Sequence, residues 1–144
     1  FNVNEDGSLP IQKGTKEGVA QVCNFDASKL VPAATFASCR NVVVTNLQTL
    51  CPVKNGAYIC VKGVDFSKGF KEIEFTFANG KLAKGEITVK VDGFGGNGKE
   101  IATVKLNKKS TKEADLNLSE IQSGVHDLYF VFSGYCELKS WKIK

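Results

Sequence analysis

The sequence contains one histidine, one tryptophan and three prolines, and its apolar runs are short. None of them approaches the roughly 20 residues that a membrane-spanning helix needs. This absence predicts a soluble chain that does not bind a membrane. The first seven residues (FNVNEDG) are polar, so no signal peptide opens the sequence. We therefore expect an excised piece of a longer protein.

Closely spaced metal ligands are also missing. The cysteines are odd in number and show no CxxC spacing, and only one histidine accompanies them, so we expect no metal site. A disulfide between Cys39 and Cys51 and ordinary reduced thiols both remain open. The residues concerned are Cys23, Cys39, Cys51, Cys60, Cys136 and His126.

The formal net charge of +4 is modest, and the lysines are spread along the chain. One cluster stands out, but no aromatic-rich basic stretch accompanies it, as a nucleic-acid site would require. A solvated face is the simpler interpretation, and we expect no nucleic-acid partner. The cluster consists of Lys105, Lys108, Lys109 and Lys112.

What the sequence does contain is apolar residues at every second position in short segments separated by glycine and asparagine turns. Such alternation is typical of strands with one buried face. Eight or so strands without helical periodicity predict an all-β fold, an antiparallel β-sandwich of the jelly-roll kind. The segments lie around residues 57–61, 72–77, 86–92, 102–106, 116–118, 128–132 and 138–143.

The last two segments are the most strongly patterned. Leu128, Phe130 and Phe132 share one face of the first, which should therefore be buried, while Tyr129 lies on the other face. A turn at Gly134 follows, and the same alternation places Trp141 in the core. Residues 1–22 show no sustained period and are predicted to be a tail or linker, with the sandwich at residues 23–144.

Three stretches carry a resemblance to a known family: residues 55–66 (NGAYICVKGVDF), 85–92 (GEITVKVD) and 124–132 (GVHDLYFVF). They are similar to strands of the family 6 carbohydrate-binding modules that are appended to family 43 hemicellulases, which are xylosidases and arabinofuranosidases. Residues 4–10 (NEDGSLP) and 15–19 (TKEGV) resemble the segment that leads from such a catalytic domain into its module. The match is poor at residues 26–51.

The resemblance implies a non-catalytic, extracellular module, linked covalently to a catalytic domain, that binds xylan, arabinoxylan or a related plant cell-wall polysaccharide. The alternative is a degenerate sandwich that no longer binds sugar and braces or spaces the catalytic domain. Hydrolysis would need two carboxylates across a cleft. Glu72, Glu74 and Glu86 are explained by solvent-facing strand positions, and His126 and Asp127 point to opposite faces. We expect no enzyme here.

The sequence departs from the family at two places. The family's structural calcium is held by a glutamate of an EAE stretch and an aspartate before the last tryptophan. Residues 32–37 (PAATFA) and Lys139 or Ser140 take these places, so we expect no calcium and no other cofactor; a lysine could supply the positive charge. The loop that carries the family's sugar-binding tryptophan, residues 109–114, has no aromatic residue, and the last loop has no asparagine.

Five residues remain as candidates for ligand binding. Tyr135 and Glu137 occupy the family's loop site, where the alternative is a tyrosine in a turn beside a solvated carboxylate. Tyr58 and Tyr129, on the outer faces of their strands, could line a groove-type second site or pack under another layer. Phe94, between glycines, could touch a ligand or a neighbouring domain, or simply anchor its loop.

Overall fold

The computed structural model describes residues 24–46, 48–119, 121 and 123–144, and its regular elements there are strands and one short 3-10 helix, Gly80–Leu82. The predicted tail, residues 1–22, and Cys23 lie outside the described residues. The strands are β1 (Val31–Pro32), β2 (Ser38–Arg40), β3 (Val42–Thr45), β4 (Thr49–Pro52), β5 (Ala57–Asp65), β6 (Glu72–Phe77), β7 (Lys84–Val91), β8 (Lys99–Asn107), β9 (Thr111–Asp115), β10 (Val125–Tyr135) and β11 (Leu138–Ile143).

The strands form two antiparallel sheets. One has five strands in the order β2-β5-β10-β7-β8. The other has six, in the order β3-β4-β11-β6-β9, with β1 also paired to β11. The predicted all-β sandwich is confirmed.

The core lies between the sheets and is closed by aromatic rings from both. Phe130 on β10 meets Phe75 on β6 edge to face, with ring centroids 5.1 Å apart. It meets Trp141 on β11 in the same way at 4.9 Å. All three side chains are fully buried, as are Leu128 and Phe132, so the faces assigned by alternation are confirmed. Burial of each such side chain contributes roughly 1.5–3 kcal/mol.

β10 and β11 follow one another in the chain, but they lie in opposite sheets and face each other across the core. The turn predicted at Gly134 comes later, after Tyr135, because Gly134 lies inside β10, pairs with Gly85 of β7 and has a φ of +107°. A Cβ atom there would lie 2.3 Å from the carbonyl oxygen of Lys84 on β7. Glycine is therefore required where β10 and β7 approach each other closely near the end of β10.

Two details differ from the alternation pattern. The strand expected at residues 116–118 lies earlier, at Thr111–Asp115, so most of the loop predicted at residues 109–114 is a strand that pairs with β6. The poorly matching stretch from Asp26 to Cys51 carries four short strands, β1 to β4, of which β2 and β3 are largely exposed. Their exposure removes the buried face that produces a readable pattern.

The described cysteines, Cys39, Cys51, Cys60 and Cys136, are all free thiols. The Cys39–Cys51 disulfide, which the sequence left open, is therefore not formed. In the described part of the chain, no helix is long and apolar enough to span a membrane.

Candidate functional site

Three of the five candidate residues meet on the outer face of the five-stranded sheet. The rings of Tyr58 and Phe94 are stacked nearly parallel, with centroids 4.2 Å apart and an interplanar angle of 11°. Tyr129 completes the group, with centroids 6.1 Å from Tyr58 and 6.2 Å from Phe94. We call these three residues the aromatic patch.

Strand register explains two members of the patch. Tyr58 on β5 lies opposite Val131 on β10, and Tyr129 lies opposite Cys60 on β5. Side chains two positions apart on neighbouring strands point to the same face and lie within reach of aromatic rings. Both tyrosines are half-buried. The prediction that they lie on the non-core face is confirmed.

Phe94 reaches the patch because the β7–β8 loop folds back over the sheet. The Nζ atom of Lys90 donates a hydrogen bond to the carbonyl oxygen of Gly95, 3.3 Å away. At the base of the loop, a Cβ atom on Gly98 would lie 2.0 Å from the carbonyl oxygen of Gly93, so only glycine permits the close approach there. Phe94 itself remains 44% exposed. It is the outermost ring of the patch.

Tyr129 is held from below by Cys60. Burial, and next the hydrogen bond to the Cys60 thiol, raise the pKa of Tyr129 well above its usual range. Burial also raises the pKa of Cys60, whose side chain is almost inaccessible. Both groups are therefore neutral at physiological pH, and the floor of the patch carries no charge.

Two rows of residues cross the sheet at Tyr58 and Tyr129, and most of their other members are polar. Register aligns Tyr58 with Arg40 on β2 and with Val131, Thr88 and Thr103 on the other side. It aligns Tyr129 with Cys60 and Ser38 on one side and with Lys90 and Glu100 on the other. The sequence pattern missed Arg40, because β2 is a three-residue edge strand whose residues are all exposed. Only the register with Tyr58 reveals its place.

Tyr135 and Glu137 meet each other at the other end of β10. The Tyr135 hydroxyl donates a hydrogen bond to Oε1 of Glu137 at 3.1 Å. Burial and this carboxylate raise the pKa of Tyr135 to about 12. Tyr135 pairs with Lys84, whereas Tyr129 pairs with Lys90, six residues along the strand. That spacing separates the two groups by roughly 20 Å.

The two groups differ in what they offer a ligand. The aromatic patch presents one broad apolar ring face bordered by hydroxyls and cations, which suits a pyranose, since its C–H groups pack on a ring and its hydroxyls need polar partners. Tyr135 already uses its hydroxyl on Glu137, and both side chains are half-buried. At this end of β10, the one tyrosine already donates its hydroxyl hydrogen bond, and residues 134–137 and 108–110 contain no second aromatic ring.

The two segments that hold calcium in the resembling family are neighbours in this structure. Pro32 of β1 pairs with Ser140 of β11, and the Ala33 amide donates to the carbonyl oxygen of Lys139 at 3.0 Å. Neither segment carries a carboxylate, which Ca²⁺ prefers among its six to eight oxygen ligands. The residues at this place do not fit calcium. Among the described residues, no group of three or more His, Cys, Asp or Glu could hold a metal ion.

Comparison with known proteins gives one family. The model of the family described as carbohydrate binding module (family 6) matches residues 33–144 of this chain. No curated protein matches significantly. The described core strands from β2 to β11 all lie within the matched region.

Several solved structures have a similar fold. A glycoside hydrolase family 43 arabinoxylan arabinofuranohydrolase from Bacillus subtilis, in complex with cellotetraose, is 23% identical, with a TM-score of 0.79 over 99% of this chain and 32% of that enzyme. This chain thus spans about a third of the enzyme's length.

Two smaller structures are similar over nearly their whole length. CsCBM6-3 from Clostridium stercorarium, in complex with cellobiose, is 18% identical with a TM-score of 0.70, covering 86% of this chain and 98% of that one. A family 6 module from Clostridium cellulolyticum, in complex with xylose, is 19% identical with a TM-score of 0.68, covering 83% and 99%.

Proposed function

This chain belongs to family 6 of the carbohydrate-binding modules, and we propose that it binds a plant cell-wall polysaccharide of the xylan type through the aromatic patch. Because the family consists of non-catalytic binding modules, the prediction that the chain is not an enzyme is confirmed. The resemblance in the three strand motifs and the tail to modules of family 43 hemicellulases supports a covalently linked hemicellulase as the parent.

The observation that carries this proposal is the exposed ring of Phe94, supported from below by Tyr58 in a parallel stack. The exposed part of the Phe94 ring offers a sugar ring a surface on which its C–H groups can stack. Tyr129 borders the same face, so a second sugar of a chain would meet a second ring. A binding surface on the side of a sheet admits the interior of a polymer, whereas a pocket at a loop end admits chain ends.

The role of such a module is to hold its enzyme at the substrate. Tethering turns encounter between enzyme and polymer into an intramolecular event with a raised effective concentration. This proposal implies an extracellular location, where the polymer is found. We further propose that the module needs no calcium at the Pro32–Ser140 pairing, because neither segment there carries a carboxylate.

Affinity electrophoresis tests the proposal. The protein is run through gels containing xylan, arabinoxylan, β-glucan or cellulose derivatives, beside the variants Tyr58→Ala and Tyr135→Ala. We expect retardation by xylan or arabinoxylan that is lost with Tyr58→Ala and kept with Tyr135→Ala. Loss with Tyr135→Ala alone would place the site at the loop end, and the aromatic patch would be excluded.

A bracing role is the second candidate, and one observation favours it. The loop end lacks a pair of free rings, and Phe94 already covers one face of Tyr58, as expected if the loop merely anchors itself. In that case no polysaccharide retards the module. A parent enzyme lacking the module would instead show a lower melting temperature.

A further inference from the structure

The chain has a single arginine, Arg40, and the fold places it beside the aromatic patch. Arg40 ends β2 and pairs directly with Tyr58 on β5. Directly opposed residues of an antiparallel pair have Cβ atoms about 4.5–5.5 Å apart on the same face. The Arg40 side chain therefore starts next to the ring that supports Phe94.

Arg40 makes no ion pair or side-chain hydrogen bond, as far as the described residues are concerned, and it is exposed. Two carboxylates on the same face already accept hydrogen bonds. Glu100 on β8 accepts a hydrogen bond from the Thr103 hydroxyl at 2.6 Å, and Asp127 accepts one from the Gly63 amide at 3.1 Å. The guanidinium, at the border of an aromatic face, thus has five donors and no acceptor among the side chains that the structure describes.

We propose that Arg40 makes this face selective for a polysaccharide that carries carboxylate groups, such as a xylan substituted with uronic acid. A guanidinium matches a carboxylate with two parallel hydrogen bonds, a geometry that a hydroxyl cannot reproduce. This inference rests on the proposed function, because the aromatic patch must first hold the main chain of the polymer.

A second cationic residue near the aromatic patch, Lys62, also favours a ligand that carries carboxylate groups. Lys62 follows Tyr58 and Cys60 at the next outward position of β5 and is exposed without a partner in the described structure. Lys90, by contrast, is occupied by the Gly95 carbonyl. On the β2 side of the patch, Arg40 and Lys62 therefore carry positive charge with no ion pair among the described residues, and this charge attracts an acidic polymer more strongly at low salt.

The test compares one polymer in two forms: a uronic-acid-substituted xylan, and the same xylan with its carboxyl groups reduced to hydroxyls. Binding of the wild type, Arg40→Gln, Arg40→Lys and Lys71→Gln is measured by affinity electrophoresis and calorimetry. Lys71 is a matched control, because it is exposed and precedes β6 in the opposite sheet. Denaturant unfolding verifies that each variant folds.

We expect the wild type to bind the acidic form about tenfold more tightly than the reduced form, the scale of one charge-assisted pair. Arg40→Gln should bind both forms equally, at the level of the wild type on the reduced form. Arg40→Lys should lie between, because it keeps the charge and loses the paired geometry. Lys71→Gln should behave as the wild type.

Three results would overturn the inference while leaving the proposed function intact. The wild type could bind both forms equally. Arg40→Gln could weaken binding to both forms alike, which would make Arg40 a hydroxyl contact. Arg40→Gln and Lys71→Gln could weaken binding to the acidic xylan by the same factor, and binding to dextran sulfate by that factor as well. This would indicate general charge attraction. Binding of neither form, nor of any neutral polysaccharide, would reject both proposals.

Discussion

Replacing Phe94 with alanine probes the fold of the β7–β8 loop and the ligand face together. Phe94 is 44% exposed, so roughly half of its side chain is buried against the sheet. Half of the burial energy of a phenylalanine, with the stacking on Tyr58, amounts to about 2 kcal/mol. We expect the free energy of unfolding to fall by that amount, and the melting temperature by about 4–8 °C.

The same variant should bind xylan at least about tenfold more weakly, since the outermost ring of the platform is gone. Denaturant unfolding and calorimetric titration measure the two effects on the same sample. Leu82→Ala is the control, because Leu82 is 48% exposed but lies in the 3-10 helix, away from the patch. It should lose less stability and no affinity.

Two outcomes would refute this reasoning. If Phe94→Ala left stability unchanged, the loop would not rest on the sheet as the 4.2 Å stack requires. If the variant bound xylan more tightly than the wild type, Phe94 would be a cover that the ligand displaces from Tyr58. The sugar would then stack on Tyr58 itself.

Three further predictions concern stability. Trp141 is fully buried, and its Nε1 has no hydrogen-bond acceptor in the described part of the chain. Trp141→Phe should therefore lower the free energy of unfolding by under about 2 kcal/mol, and Trp141→Ala by about 3–5 kcal/mol; equal losses would contradict this. Hydrogen bonds from Lys144 and then Lys142 lower the pKa of Glu74 below its ordinary 4.5, so the stabilising effect of Glu74 should be present above that value and lost as the pH falls through the lowered pKa. In denaturant unfolding, the deficit of Glu74→Gln should be clear at about pH 7 and shrink steadily as the pH is lowered below the ordinary pKa, and a constant deficit would argue against it. Calcium or a chelator should leave the melting temperature unchanged, and a rise with calcium would show that a site exists.

Much of the fold was readable because a buried face leaves a period of two. Ile73, Phe75 and Phe77 alternate with glutamate and threonine, and the structure buries all three. Where strands are exposed, as in β2 and β3, the alternation carries no such information, since neither face must be apolar.

The candidate site was also predictable from the sequence only in part. Alternation alone puts Tyr58 and Tyr129 on the outer face, because a strand allows their side chains only two directions. It does not reveal that Phe94 stacks on Tyr58, because a glycine-rich loop has no preferred path. Nor does it reveal that the Tyr135 hydroxyl donates a hydrogen bond to Glu137.

The sequence by itself thus determined the pattern of most core strands, their buried faces and the family, all of which depend on local spacing. The tertiary structure decided the rest: β10 and β11 lie in different sheets, the β7–β8 loop closes over the face, and Arg40 stands beside Tyr58. These features come from contacts between residues far apart in the chain. Such contacts are fixed by the register between strands and by the packing of loops, which no single segment encodes.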